Sequence, residues 1–201
     1  MKVVCALVLV FAVAGCVEDD PARHLPDAIG LDAVANVELA VALAGNGSGS
    51  VTSLPAGISC GADCATTFAQ GTTVTLTAVA GEGSVFAGWS GACDGTATTC
   101  DVTLDAADAV TATFELEKHT VTLVKAGQGS GAIQGGGVDC DGTCTVSVDH
   151  GSMVSFVAMP TGLSVFGGWG AGCSGSGACT VTVTSDITIE ANFALENFTL
   201  S

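Results

Sequence analysis

The sequence predicts an all-β protein: two small, disulfide-stapled β-rich modules in tandem. Three observations carry this. Runs of Thr and Val alternate with apolar residues at a period of two, the mark of strands with one buried face. The chain repeats itself at a spacing of 80 residues, and repeats outrank every other signal. Eight cysteines fall four to a module, as in small exported domains that lack a sufficient core.

Composition narrows the class. Of 201 residues, 20 are Asp or Glu and 4 are Lys or Arg, for a formal charge of −16. Phosphate backbones need clustered cations, so nucleic acid is excluded as a partner. With 48% hydrophobic and 12% charged residues the chain is also too apolar for intrinsic disorder.

Residues 1–15 read as a signal peptide. Lys2 supplies the charged start and Val3 to Ala14 an apolar run shorter than the roughly 20 residues of a membrane span. Val13-Ala14-Gly15-Cys16 resembles the bacterial lipobox, which implies cleavage before Cys16 and lipidation of its sulfur. An ordinary signal peptide or an uncleaved anchor is the alternative. Val17 stands where an inner-membrane retention signal has Asp, which leans towards an outer-membrane location. Residues 16–36, with two prolines and five acids, read as a flexible tether of about 25 Å, although Ala28 to Asn36 has the composition for a short helix.

Module one is expected over 37–116 and module two over 117–195. At a shift of 80, Cys60, Cys64 and Cys93 fall on Cys140, Cys144 and Cys173, and Gly88-Trp89 falls on Gly168-Trp169. Val41, Leu43, Gly47 and Gly49 also meet identical residues. One residue is then lost, and Cys100 falls on Cys179 and Phe114 on Phe193. Residues 196–201 repeat the opening of module two, as the start of a third copy or a shared terminal strand. Strands are expected over Val37–Val41, Thr73–Val79, Val110–Phe114 and His119–Val124, separated by glycine-rich turns; Asp105–Asp108 could form a single helical turn.

Phe86-Ala87-Gly88-Trp89-Ser90-Gly91-Ala92-Cys93, following Cys60-Gly61-Ala62-Asp63-Cys64 and Gly71–Leu76 and closing with Val110-Thr111-Ala112-Thr113-Phe114, resembles the divergent InlB B-repeat family. Module two keeps the order with Cys140/Cys144, Phe166-Gly167-Gly168-Trp169, Cys173/Cys179 and Ile189–Phe193. The resemblance implies β-rich, β-grasp-related modules strung along bacterial surface and secreted proteins as spacers or adhesion-type units. It brings no catalytic residues.

Three cysteine pairings are open in each module. The local ones, Cys60–Cys64 with Cys93–Cys100 and Cys140–Cys144 with Cys173–Cys179, are favoured because each brackets a Gly-containing turn and the copies differ in length only inside the second loop. Zinc competes, but the spacings do not match C-x2-C knuckles. Phe86, Trp89, Phe114, Phe166, Trp169 and Phe193 are the expected core aromatics; a sugar-stacking role for the tryptophans is the alternative. His24 lies in the tether. His119 and His150 fall where module one has Leu39 and Gln70, and read as isolated surface residues. Asp94, Asp101, Asp105 and Asp108 read as solvated turn residues, and Asp139-Cys140-Asp141-Gly142 lacks the later acid of a calcium loop. No metal or cofactor is expected. The reading is a non-enzymatic surface lipoprotein held to the membrane by its lipid, with a carbohydrate- or protein-binding surface module second and a hydrolase using the Asp cluster a remote third.

Overall fold

The computed structural model describes residues 34–61 and 63–197. The signal peptide, Cys16, His24, most of the tether and residues 198–201 lie outside them. Sixteen strands and no helix make up the described residues, none of which forms a helix long and apolar enough to cross a membrane.

Module one contains β1 (Asn36–Ala44), β2 (Gly49–Leu54), β3 (Ser59–Cys60), β4 (Ala65–Ala69), β5 (Thr73–Ala80), β6 (Ser84–Gly91), β7 (Thr99–Thr103) and β8 (Asp108–Leu116). They form two four-stranded sheets, ordered β4-β1-β8-β6 and β3-β2-β5-β7. Module two repeats this with β9 (Lys118–Ala126), β10 (Ser130–Gly135), β11 (Val138–Cys140), β12 (Thr143–Asp149), β13 (Ser152–Thr161), β14 (Ser164–Trp169), β15 (Cys179–Val183) and β16 (Ile187–Leu195), ordered β12-β9-β16-β14 and β11-β10-β13-β15. The alternation seen in sequence sets the faces: Val74, Leu76 and Ala78 of β5 point inward while Thr73, Thr75, Thr77 and Val79 face out or lie half-buried. Both sheets of each module contribute to its own core, Leu39, Val51, Leu76 and Phe114 in the first, Leu123, Ile133, Phe156 and Phe193 in the second. Residues 105–106 form a bend that leads through Ala107 into β8 rather than a helical turn; the two alanines are exposed and have no apolar face to bury as a helix.

Within each module the first strand pairs in parallel with the last, Leu39–Ala44 beside Asp108–Thr113 and Ile187–Asn192 beside Val121–Ala126. A chain that enters and leaves on parallel neighbours does so at opposite ends of the module. The next copy therefore continues the line instead of folding back.

The sequence offset of 80 needs a correction in the opening strands. Cys60 pairs across from Val51, and Cys140 across from Ile133; the cysteines are 80 apart but their partners are 82 apart. The loop between the second and third strands is two residues shorter in module two, 136–137 against 55–58. Val41 thus corresponds to Leu123 and Leu43 to Lys125, and Gly47 and Gly49 correspond to Gly129 and Gly131. A Cβ on Gly49 would strike the ring of Phe114, and one on Gly131 the ring of Phe193, so glycine is required at both.

Candidate functional site

The Phe-x-Gly-Trp motif is a bulge. Phe86 lies across from Phe114 and Gly88 across from Thr113, leaving Ala87 as the extra residue; Phe166 and Gly168 repeat the shift. Residues three apart on a regular strand face opposite sides. The additional residue brings Phe86 and Trp89 to the same side, with ring centroids 5.0 Å apart, and Phe166 and Trp169 likewise at 5.1 Å. Gly88 and Gly168, at φ of 150° and 124°, accommodate the bulge without a Cβ penalty. Phe114 and Phe193 complete each cluster.

Trp89 is 5% and Trp169 8% exposed, so neither indole offers a free face to a sugar ring. The indole N–H of Trp89 donates to the carbonyl of Ala97, at 2.8 Å, and that of Trp169 to Gly177, at 2.6 Å. Both acceptors sit inside loops closed by disulfides, Cys93–Cys100 and Cys173–Cys179; Cys60–Cys64 and Cys140–Cys144 are bonded as well. The loop supplies the buried indole with its hydrogen-bond partner, and the disulfide holds the loop in place.

The polar side chains that converge do so elsewhere, at the module junction. Glu117 alone separates β8 from β9. Its N–H donates to the carbonyl of Gly83 in module one, at 2.9 Å, and its carbonyl accepts from the N–H of His150 in module two, at 2.7 Å. Asn46 Oδ1 accepts from the N–H of Leu116, at 3.0 Å. Lys118 reaches Asp149 at 2.6 Å, and the hydrogen bond and charge of Asp149 raise the pKa of the lysine. A cleft open to solvent runs between Gly45, Asn46, Glu115, Leu116, Lys118 and Asp149.

Here the reading of His119 and His150 as isolated surface residues fails. His119 is 8% exposed, and its Nε2 lies 3.0 Å from Nδ1 of His150, one imidazole donating to the other. Lys118 pairs across from Asp149 and His119 across from Val148, so His150 continues the ladder opposite Glu117. Glu117 and His119, two apart on an extended chain, share a face with it. Donor atoms of all three lie within 4.8 Å of one another, and among the described residues they are the three-donor group suited to a metal ion. Asp186 Oδ1 accepts from the N–H of Thr120 at 2.7 Å and stands 3.9 Å from Nδ1 of His119. The corrected register places Val37, not Leu39, where module two has His119. The sequence signal was Glu-x-His at the opening of β9; the pairing that brings up His150 is tertiary. Asp101, by contrast, accepts from the Thr75 hydroxyl at 2.6 Å, and the other acids of its group join no such cluster.

Residues 39–118 and 120–197 each match the divergent InlB B-repeat domain. The chain belongs to the divergent InlB B-repeat family. Among solved structures the two repeats are similar to the Bacillus anthracis TIE protein, at 8% identity and a TM-score of 0.50 over 80% of this chain and 34% of that one. The chain spans about a third of that protein's length, and the likeness is one of fold alone. A minor pilin of Streptococcus agalactiae aligns at 10% identity over 82% of this chain and 99% of that one, with a TM-score of 0.26. A major pilin of Streptococcus pyogenes aligns at 9% over 81% and 98%, with a TM-score of 0.28. Neither score supports an inference. No curated protein matches the chain.

Proposed function

We propose that this chain is a non-enzymatic lipoprotein of the bacterial cell surface whose B-repeats act as a spacer between the lipid and whatever lies beyond them. The parallel pairing of entry and exit strands carries the reading: it makes each repeat a segment that extends the chain. The one-residue connection at Glu117, hydrogen-bonded to both repeats, supports a stiff junction. The lipobox-like Val13–Cys16 supports an anchor at Cys16, in the outer membrane by the identity of Val17.

The test is the intact mass of detergent-extracted protein before and after reduction, with Cys16→Ser beside it. The expected species is residues 16–201 plus acyl chains, gaining eight hydrogens as four disulfides open; Cys16→Ser should leave the membrane fraction. A mass without lipid would make the chain a free exported protein and end the anchored-spacer reading.

A protein-binding role is the second reading, and one observation favours it. Met153, Val157 and Met159 line the outer face of β13, with Met153 72% exposed; at the same positions module one has Thr73, Thr77 and Val79. An exposed, adaptable Met-rich stripe suits a protein surface better than a glycan. Restoring the module-one residues together should abolish surface adhesion without altering stability; unchanged adhesion would remove this reading.

A further inference from the structure

We propose that Glu117, His119 and His150 bind one divalent metal ion, zinc foremost, and that the ion stiffens the junction between the two repeats. Two imidazole nitrogens and a carboxylate form a donor set for borderline ions such as zinc, nickel or cobalt, and not for calcium or magnesium, which take oxygen ligands. Bonds of about 2.0–2.1 Å at tetrahedral angles put two nitrogens about 3.3 Å apart. The His119–His150 separation of 3.0 Å needs an opening of only a few tenths of an ångström, as the proton between the rings gives way to the ion.

The surroundings suit such a site. Zinc-bound histidines commonly present their second nitrogen to a carboxylate, which sets the tautomer. Asp186 stands beside Nδ1 of His119 and is itself held by the Thr120 N–H, leaving Nε2 of His119 as the ligating atom. The repeat supplies an internal comparison. In module one the corresponding residues are Ala35, Val37, Gln70 and Ala107, none of which ligates a metal in this pairing; Val37 packs on the core and Gln70 donates to the carbonyl of Asp105 at 2.7 Å. All the polar substitutions fall in the repeat whose opening end meets another repeat.

The ion would join three parts of the chain. Glu117 is the connector, His119 opens β9, and His150 lies against Gly83 of module one so closely that a Cβ there would enter its ring. Ligating all three ties the connector to module two and fixes the imidazole against which module one's Gly83 packs. The site does not depend on lipidation or on the spacer reading.

Titration of zinc into the oxidised, full-length mature chain by calorimetry, with cobalt absorption as a coordination signature, tests this. The expected result is one equivalent bound, retained in excess calcium, with a zinc-induced rise in the melting temperature. His150→Gln, which installs the module-one residue, and Glu117→Ala, which removes an exposed carboxylate and leaves the core untouched, should each weaken binding by about 100-fold or more and abolish the rise. Equal binding by both variants would place the ion on the general acidic surface and overturn the proposal. So would displacement by calcium, or no saturable binding up to about 100 µM zinc.

Discussion

Modules one and two share the main structural devices of the core and differ chiefly at their ends and outer faces. The bulge at Phe86–Gly88 recurs at Phe166–Gly168, the indole cap at Ala97 recurs at Gly177, and the glycine beneath the Phe114 ring recurs beneath Phe193. At the strand ends and outer faces the copies diverge: Val37 against the buried His119, Gln70 against His150, Thr73 against Met153. Gly83 and Leu163 show the principle most clearly. Gly83, at φ of 64°, faces His150 across the junction; in module two the positive φ moves to Gly162 and Leu163 is 65% exposed. Interiors constrain both copies alike, whereas an end is constrained only by what it meets.

The sharpest way to break the comparison is through the cores. Phe114→Ala and Phe193→Ala should each cost about 3–5 kcal/mol. Because the two cores are separate, each substitution should lower the urea midpoint of its own module, read from Trp89 or Trp169 in single-tryptophan variants. A shift of both reporters by either substitution would show that the junction couples the modules into one folding unit. Next, replacing Cys93 and Cys100 by Ser, or Cys173 and Cys179, should cost about 2–3 kcal/mol each, since the closed loops are short. The indole emission of the affected module should move to the red as its cap loosens, and equal effects in both copies are expected.

Gly83→Leu, which gives module one the residue of module two, should destabilise by about 1–2 kcal/mol from the left-handed backbone alone and displace His150 as well. Leu163→Gly should be nearly silent in thermal melts, and equal effects would refute the asymmetry of the two ends. The smallest effect belongs to Lys118. Its pKa is raised above the ordinary 10.5 by the hydrogen bond and charge of Asp149. The stabilisation is therefore present below that ordinary value and lost as pH rises through the higher folded-state value. Lys118→Ala should flatten this alkaline decline in the denaturation midpoint; since the ammonium is solvent-exposed, the difference will be small, and an unchanged slope would show the pair contributes nothing.

Much of the fold was legible because strand alternation is a local property. Thr73–Val79 and Val110–Phe114 declare their buried faces in the order of their residues. The register between repeats was less so. An offset of 80 and an offset of 82 differ by two residues, and a shift of two along a strand preserves which residues face inward. Val41 and Leu43 therefore found identical partners at the wrong spacing, while the compensating deletion lay in a loop with no face to betray it. The bend at 105–106 was misread for a related reason: helix-friendly residues express that preference only where a helix can bury one side.

The sequence by itself determined the class of fold, the family and the existence of two copies, because periodicity and repetition are written in the order of residues. Tertiary structure alone decided that His119 and His150 share a hydrogen bond, that Glu117 stands opposite His150, and that Gly83 leaves room for an imidazole from the next repeat. These contacts join residues some 30 or more positions apart, as 119 to 150 and 83 to 150. They arise only when two strands pair and two modules abut, and no local pattern of side chains encodes such a meeting.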